Sequence, residues 1–451
     1  MKNILIAILS LLASTSKGQD SVIQPAPSVA GLPSSSGGII QLVLVSDIHY
    51  GITRKHFRHA DSVASTVVNK AMIAAINRLP MEALPDDSGM AAGERVGAID
   101  ALLVTGDIAN REEKNIQPAA ASWAQFLDDY AGLTTKGRNG QPSEIWLTPG
   151  NHDVSNALGY CRPLEPAQDA SAMAGIYNRM LHPAHNKTKD DYNYTTDKIH
   201  YSKDISGSLS PSGSSGSSPN IDSHSPSGSG SSVSIPNIDP SGSGSSGNFS
   251  NISPHSPSSS SSPSGSIHLL FVNLWPDSFE RRWIEQDLST VPPGTPVLLF
   301  THSMPDVESR FFTNPNGEHT INRNDNFENL LAEQFKDGTR FDEPALIEQR
   351  QLDTFLKTHP SIRAWFHGHS NYNEFYDWPG PDNDLDLHCF RVDSPMKGKF
   401  SSKDETLLSF QLITIDMRTK TMTVRECRWN TSPDQPGLLQ WGQHRTISLT
   451  Q

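Results

Sequence analysis

Five apolar runs of strand length in this chain each give way at their carboxyl end to Asp, Asn or His. QLVLVS is followed by Asp47 and His49, ALLVTG by Asp107, EIWLTPG by Asn151 and His152, PVLLFT by His302, and IRAWFHG by His369. Between these runs, and beside a further run IHLLFVNL, helical periodicity marks stretches around Ser62 to Leu79, Ala119 to Tyr130, Asp169 to Leu181, Phe279 to Leu288 and Ile347 to Lys357. Near-continuous apolar strands separated by amphipathic helices predict an α/β domain whose sheet is covered on both faces. From about Leu387 the helices stop, and LHCFRV, LLSFQLITID and TMTVREC predict a β-rich C-terminal half-sheet. In open α/β sheets the ligand crevice lies beyond the carboxyl ends of the strands, so all five groups should point to one place. Any one alone has a plain explanation, since Asp and Asn favour turns after strands. Convergence of five is the argument for a site.

Composition limits what else the chain does. Only 35% of the 451 residues are hydrophobic, below the roughly 45–50% of a globular chain, so part of it is not expected to fold. That part is 204–266, dominated by Ser, Gly and Pro with near-repeats such as PSGSSGSS and PSGSGSS, which cannot bury enough apolar surface to offset its ordering entropy. It interrupts a domain expected over 40–450, because the strand–helix alternation resumes beyond it. A net charge of −13 without a basic run argues against stable nucleic-acid binding. The N-terminus has Lys2, an apolar stretch from Ile4 to Ala13 and small residues before Gln19, which fits a signal peptide over 1–18 followed by a leader over 19–39. No later run is long enough to span a bilayer. The expectation is a secreted, periplasmic or extracellular protein. Cys161, Cys389 and Cys427 lack CxxC spacing, which disfavours a thiolate metal site. One disulfide with one free thiol fits an oxidising compartment, and Cys389 with Cys427 is the first choice among three pairings.

The donor set is carboxylate, amide and imidazole, which suits borderline or hard divalent ions such as Mn, Fe, Zn or Mg. SDIHYG, TGDIANR, PGNHDV, LFTHSMP and HGHSN together resemble, in order and spacing, the motifs of the calcineurin-like metallophosphoesterases across about residues 40–371. The resemblance implies a four-layer α/β/β/α sandwich of two mixed sheets with a binuclear metal centre at the strand ends. It implies that Asp47 and His49 hold the first metal, that Asp107 bridges, and that Asn151, His302 and His369 hold the second. Two such ions would bind phosphoryl oxygens and activate water to attack phosphorus in line. His152 would act as acid or transition-state stabiliser. Asn110 and Arg111, in GDIANR, either orient His152 and contact phosphate respectively or are plain helix-start residues. The chain departs from the family where the GHxH motif ends: Asn371 replaces the histidine expected on the first metal. An amide oxygen is a weaker ligand for late transition metals, and His367 is considered as a substitute imidazole.

The implied activity is hydrolysis of a phosphorylated small molecule or other phosphoester, with monoesters and diesters both open. The chain lacks the tyrosine expected shortly after the GD aspartate in purple acid phosphatases, so a colourless site is expected. The competing reading, supported by Asn371, is a non-catalytic surface or binding protein that keeps the fold with a weakened metal site. Tyr372, Phe375, Tyr376 and Trp378 form either an apolar wall for substrate or packing under the C-terminal strands. Asp306, Glu308 and the stretch from Asn314 to Asn326 read as a long loop near the metals. Asn186, Asn193, Asn248, Asn251 and Asn430 head glycosylation sequons, which matter only in a host that glycosylates secreted proteins. The sequence leaves the oligomeric state open and gives His182, His185, His319 and His444 no role.

Overall fold

The structure, a computed structural model, describes residues 38–110, 117–154, 169–207, 265–312, 331–333 and 343–450. The expected signal segment, nearly all of the leader, Arg111, Cys161, Asn248, Asn251, the stretch 314–326 and most of 204–266 lie outside the described residues. In chain order the strands are β1 (Ile39–Val45), β2 (Thr53–Phe57), β3 (Ala60–Ala64), β4 (Ala101–Thr105), β5 (Glu144–Thr148), β6 (Tyr201–Ser206) and β7 (Ser266–Phe271). They continue with β8 (Val297–Phe300), β9 (Ile362–His367), β10 (Glu374–Trp378), β11 (Leu387–Arg391), β12 (Ser409–Asp416), β13 (Thr421–Arg428) and β14 (Gln440–Ser448). The described helices are α1 (Ser65–Ile76), α2 (Ala119–Tyr130), α3 (Ser171–Leu181), α4 (Ser278–Leu288) and α5 (Leu346–Thr358). None of them is long and apolar enough to cross a membrane.

Two six-stranded mixed sheets result, ordered β14-β13-β12-β1-β4-β5 and β10-β11-β9-β8-β7-β6, with β2 and β3 as a separate hairpin. The runs β1, β4 and β5 are mutually parallel, as are β7, β8, β9 and β11. Side chains alternate across each strand. Leu42, Leu44 and Leu103 of the first sheet therefore join Leu269, Phe271, Leu298 and Phe366 of the second in one buried cluster. Their neighbours Val43, Val45, Leu102, Leu270, Leu299 and Trp365 cluster instead with helix residues such as Met72, Phe126, Met173, Ile284 and Leu352. Within the first of these clusters Tyr201, Phe271, Phe300, Phe366 and Phe390 stack ring on ring across neighbouring strands, with centroids 4.7, 5.1, 4.8 and 4.9 Å apart. Each such side chain contributes about 1.5–3 kcal/mol by leaving water.

Several expectations need correction. The C-terminal strands do not form a half-sheet of their own: β11 pairs with β9, while β12 pairs with β1 and carries β13 and β14 with it. Cys389 and Cys427 therefore sit in different sheets. Both belong to the cluster shared with the helices and not to the one between the sheets, so both thiols are buried and free and do not pair. The helix expected from Ser62 begins at Ser65, because Ala60–Ala64 pairs with β2. Asp204–Ser206 and Ser266, inside the segment expected to be disordered, are strand residues of the β6–β7 hairpin. Phe375, Tyr376 and Trp378 lie in β10, which pairs antiparallel with β11.

Candidate metal centre

The loop after β1 runs alongside the loop after β4, continuing the pairing past the strand ends. Asp47 N donates to Gly106 O (3.0 Å), His49 N to Asp107 O (2.9 Å), and Asn110 N to Tyr50 O (2.7 Å). The turns are tight enough to force Asp47, His49 and Asp107 to positive φ (52°, 41° and 53°), a conformation that costs non-glycine residues energy. His369 (66°) and Asn371 (60°) share it. Two glycines are dictated by close approach. A Cβ on Gly106 would lie 2.6 Å from His302 Nδ1, and one on Gly150 would lie 2.3 Å from Asp107 N. The loops are pinned by Asp153, which the sequence reading passed over although it ends the GNHD motif. Its buried carboxylate accepts from Ala109 N (2.8 Å), Gly150 N (2.8 Å) and Ile108 N (3.0 Å), while burial and then the nearby Asp107 charge push its pKa up to about 7.

His302, beyond β8, donates from Nδ1 to Thr105 O at 2.8 Å. A carbonyl only accepts, so this bond fixes the tautomer and leaves Nε2 facing inward. There Nε2 lies 3.0 Å from Asn151 Oδ1, 3.4 Å from Asp107 Oδ2 and 3.2 Å from His369 Nδ1. His369 Nδ1 is in turn 3.1 Å from Asn151 Oδ1, and the His369 backbone N donates to Asp47 Oδ2 at 2.9 Å. On the other side of Asp107, His49 Nε2 stands 3.7 Å from Asp47 Oδ1 and 3.7 Å from Asp107 Oδ2. Two groups of ligand atoms each close to within 4.8 Å, Asp47–Asp107–His302 and His49–Asp107–His152, and Asp107 belongs to both.

The electrostatics fit cations. Burial raises Asp47 to about 6. Burial also acts to raise Asp107, but the His302 and His152 rings hold it well below the usual carboxylate range. Burial opposes charge on His302, yet Asp107 and Asp47 raise it to about 9, so positive charge is favoured at that point. Among the described residues, Asp47 Oδ1, both ring nitrogens of His49 and Asn371 Oδ1 are buried without a hydrogen-bond partner. Buried polar atoms are normally paired, and a divalent ion satisfies such donors together.

His152 and Asn110 stand at the edge of this set. Asp47, His49, Asp107 and His302 are sealed from solvent, whereas the His152 side chain is 14% exposed. Its backbone N donates to Asp107 Oδ1 (2.8 Å), its ring meets His49 edge-on at 5.0 Å, and Nε2 lies 4.0 Å from Asp107 Oδ2. The sequence reading missed Lys397, whose Nζ is 3.3 Å from His152 Nε2 and 3.4 Å from Asn110 Oδ1. Asn110 thus faces Lys397, and its Nδ2 has no hydrogen-bond partner among the described residues. His367 does not join the centre: its Nε2 meets Tyr376 OH (2.8 Å) and its Nδ1 meets Gly368 O (3.1 Å). Of the four aromatics after the last motif, Trp378 is buried in the core and Phe375 packs on Phe390. Tyr372 instead lies under the Arg391 and Lys399 cations, at 4.3 and 4.4 Å.

Residues 40–228 match the family model described as calcineurin-like phosphoesterase. No curated protein matches by sequence. Among solved structures the chain is similar to a dimetal phosphatase from Danio rerio (8% identity, covering 92% of this chain and 100% of that one, TM-score 0.41). It is also similar to PhoD (8% identity, 93% and 71%, TM-score 0.44) and to the calcineurin-like phosphoesterase YfkN from Bacillus subtilis (9% identity, 91% and 91%, TM-score 0.28).

Proposed function

We propose that this calcineurin-like phosphoesterase is an exported enzyme that hydrolyses phosphoesters at a two-metal centre built from the ends of β1, β4, β5, β8 and β9. Metal-dependent phosphoester hydrolysis is the activity that the family match supports. Export rests on the charged and apolar N-terminus. The four-layer α/β/β/α arrangement rests on one cluster drawn from both sheets and another drawn from strands and helices.

In this reading Asp47, His49 and Asn371 would hold one ion, Asn151, His302 and His369 would hold the other, and Asp107 would serve both. Bound divalent ions would supply Lewis acidity, neutralising phosphoryl charge and making water acidic enough to attack at neutral pH. The remaining work falls to the chain. Thr105 O keeps the His302 Nε2 lone pair turned inward, and the His369 backbone N steadies Asp47. Sealing of Asp47, His49, Asp107 and His302 keeps bulk water from screening them. His152 stands on the more exposed rim, where it would serve as the acid for an ester's leaving oxygen.

The single observation that carries the proposal is that Asp107 Oδ2 lies 3.7 Å from His49 Nε2 on one side and 3.4 Å from His302 Nε2 on the other, while buried ligand atoms around it lack hydrogen-bond partners among the described residues. Hydrolysis of p-nitrophenyl phosphate and bis-p-nitrophenyl phosphate, with added Mn and with chelator, tests it. Chelator-sensitive turnover of either ester supports the enzyme. Its absence for both favours a binding protein that has kept the fold.

A further inference from the structure

We propose that Lys397 is a substrate-binding residue that places its ammonium against the non-bridging oxygens of the scissile phosphate, and so selects a phosphomonoester dianion over a singly charged diester. The inference rests on the function proposed above and names the substrate class of that site.

Position comes first. Lys397 lies in the loop after β11, far in sequence from any metal motif, yet Nζ stands 3.3 Å from His152 Nε2 and 3.4 Å from Asn110 Oδ1. A lysine serving only solubility would extend its ammonium into water. This one is folded toward the rim of the centre, and the loop is built to keep it there. Ser394 Oγ accepts from Lys397 N (2.9 Å) and donates to Asp47 O (2.7 Å), tying the lysine's backbone to the backbone of a metal-ligand residue. The Arg54 guanidinium, 2% exposed, donates to Pro395 O (2.7 Å) and to Ser401 O, clamping both ends of the loop to β2. Asp393 is buried beside this clamp, with its carboxyl pushed up to about 8 by burial.

Charge gives the position its meaning. Two carboxylates, Asp47 and Asp107, offset only half the charge of two divalent ions, so the loaded centre is cationic before Lys397 is counted. A further cation beside it strengthens the pull on an anion placed between the two. A phosphate over the centre and beside His152 would meet the ammonium directly. A dianion gains more from it than a monoanion does. Lysine acts there as a point charge for phosphate.

The test compares wild type with Lys397→Met and Lys397→Arg. It measures kcat/KM on p-nitrophenyl phosphate and bis-p-nitrophenyl phosphate, affinity for inorganic phosphate by calorimetry, metal content and Tm. Loss of one charge-assisted contact corresponds to about 10- to 100-fold. Lys397→Met should lower monoester kcat/KM and phosphate affinity by about that factor while diester turnover falls less than about fivefold, and Lys397→Arg should recover most of the monoester preference. Metal content and Tm should stay at wild-type values. Equal losses on both esters, or unchanged phosphate affinity, overturn the inference. Wild type inert toward both esters overturns the parent reading instead, and phosphate affinity then still tests the lysine.

Discussion

His302 Nε2 and His369 Nδ1 face each other at 3.2 Å, and each also lies about 3 Å from the same oxygen, Asn151 Oδ1. Three groups from three different strand ends converge on one point, and His302 has its other nitrogen committed to Thr105 O. A cation between them turns mutual crowding into coordination. That relationship, repeated around Asp107 by Asp47 and His49, sets the expectations below.

His152→Ala should lower kcat by about 10²–10⁴-fold, the range for loss of a positioned proton donor. Metal content should hold at the wild-type level, because the ring sits at the partly exposed rim and Asp47, Asp107 and His302 converge without it. Turnover and metal analysis on the same preparation check this. Parallel loss of both would make His152 a ligand or a prop.

Asn371 should make the first site the weaker one. Its amide oxygen is buried with no hydrogen-bond partner among the described residues at a residue of φ 60°, while its Nδ2 is spent on His369 O at 2.9 Å. Asn371→His, a residue type tolerated at such φ, should tighten that site by at least about tenfold. Metal counted after dialysis should rise toward two equivalents. An unchanged count in Asn371→His would show that this position does not reach the metal.

The site was legible from sequence because each motif residue follows its own strand, so local order predicts spatial convergence. Lys397 was not legible: its approach depends on how the loop after β11 packs over β2, and SPMKGK signals a turn but holds no ligand residue that marks an approach to the centre. Asp153 stood inside a recognised motif but works by binding backbone N–H groups, which side-chain chemistry alone does not announce. Strands with exposed faces were also missed. TRKHF of β2 and QWGQHRTIS of β14 hold few buried residues, so no apolar pattern marks them. Strand partnership was the largest gap, since alternation says that β12 is a strand but not that it lies beside β1.

Asp153→Asn should destabilise the fold by about 2–4 kcal/mol. The carboxylate accepts from three separate backbone N–H groups, and an amide would turn an NH₂ toward at least one of them. Urea unfolding measures the loss, and activity should fall with it because these bonds set the loops that carry Asp107 and Asn151. Wild-type stability in the variant would mean that the loops are held elsewhere.

His268 should make stability fall at alkaline pH. Its ring is clasped by Asp204 of β6 (2.8 Å) and Asp287 of α4 (2.6 Å); burial opposes protonation, but the two carboxylates raise the pKa from 6.5 to about 9. A histidine with a raised folded pKa contributes fully below its unfolded value, and the contribution is lost as pH rises through the folded one. Compared with His268→Gln, wild type should be more stable by about 1–3 kcal/mol at pH 6, with the gap closing by about pH 9–10. A gap that does not change with pH would assign the effect to packing.

Replacing residues 208–264 by a short Gly/Ser turn should leave activity unchanged and stability equal or higher. The flanking strands β6 and β7 pair from Tyr201↔Phe271 to Ser206↔Ser266, and Gly207 N donates to Gly265 O at 2.8 Å, so the hairpin is already closed at the base of the segment. The Ser/Gly/Pro composition of the segment offers little apolar surface to pack on the sheets. Loop-closure entropy scales as about (3/2)RT ln n, so shortening the connection should favour the folded state by roughly 1–2 kcal/mol. β6 is the edge of its sheet, so the new turn touches no other strand pairing. Thermal unfolding and ester turnover of the deletion variant check this directly. A fall in Tm would reveal packing of the segment against the domain, and a fall in turnover at wild-type Tm would bring it into substrate binding.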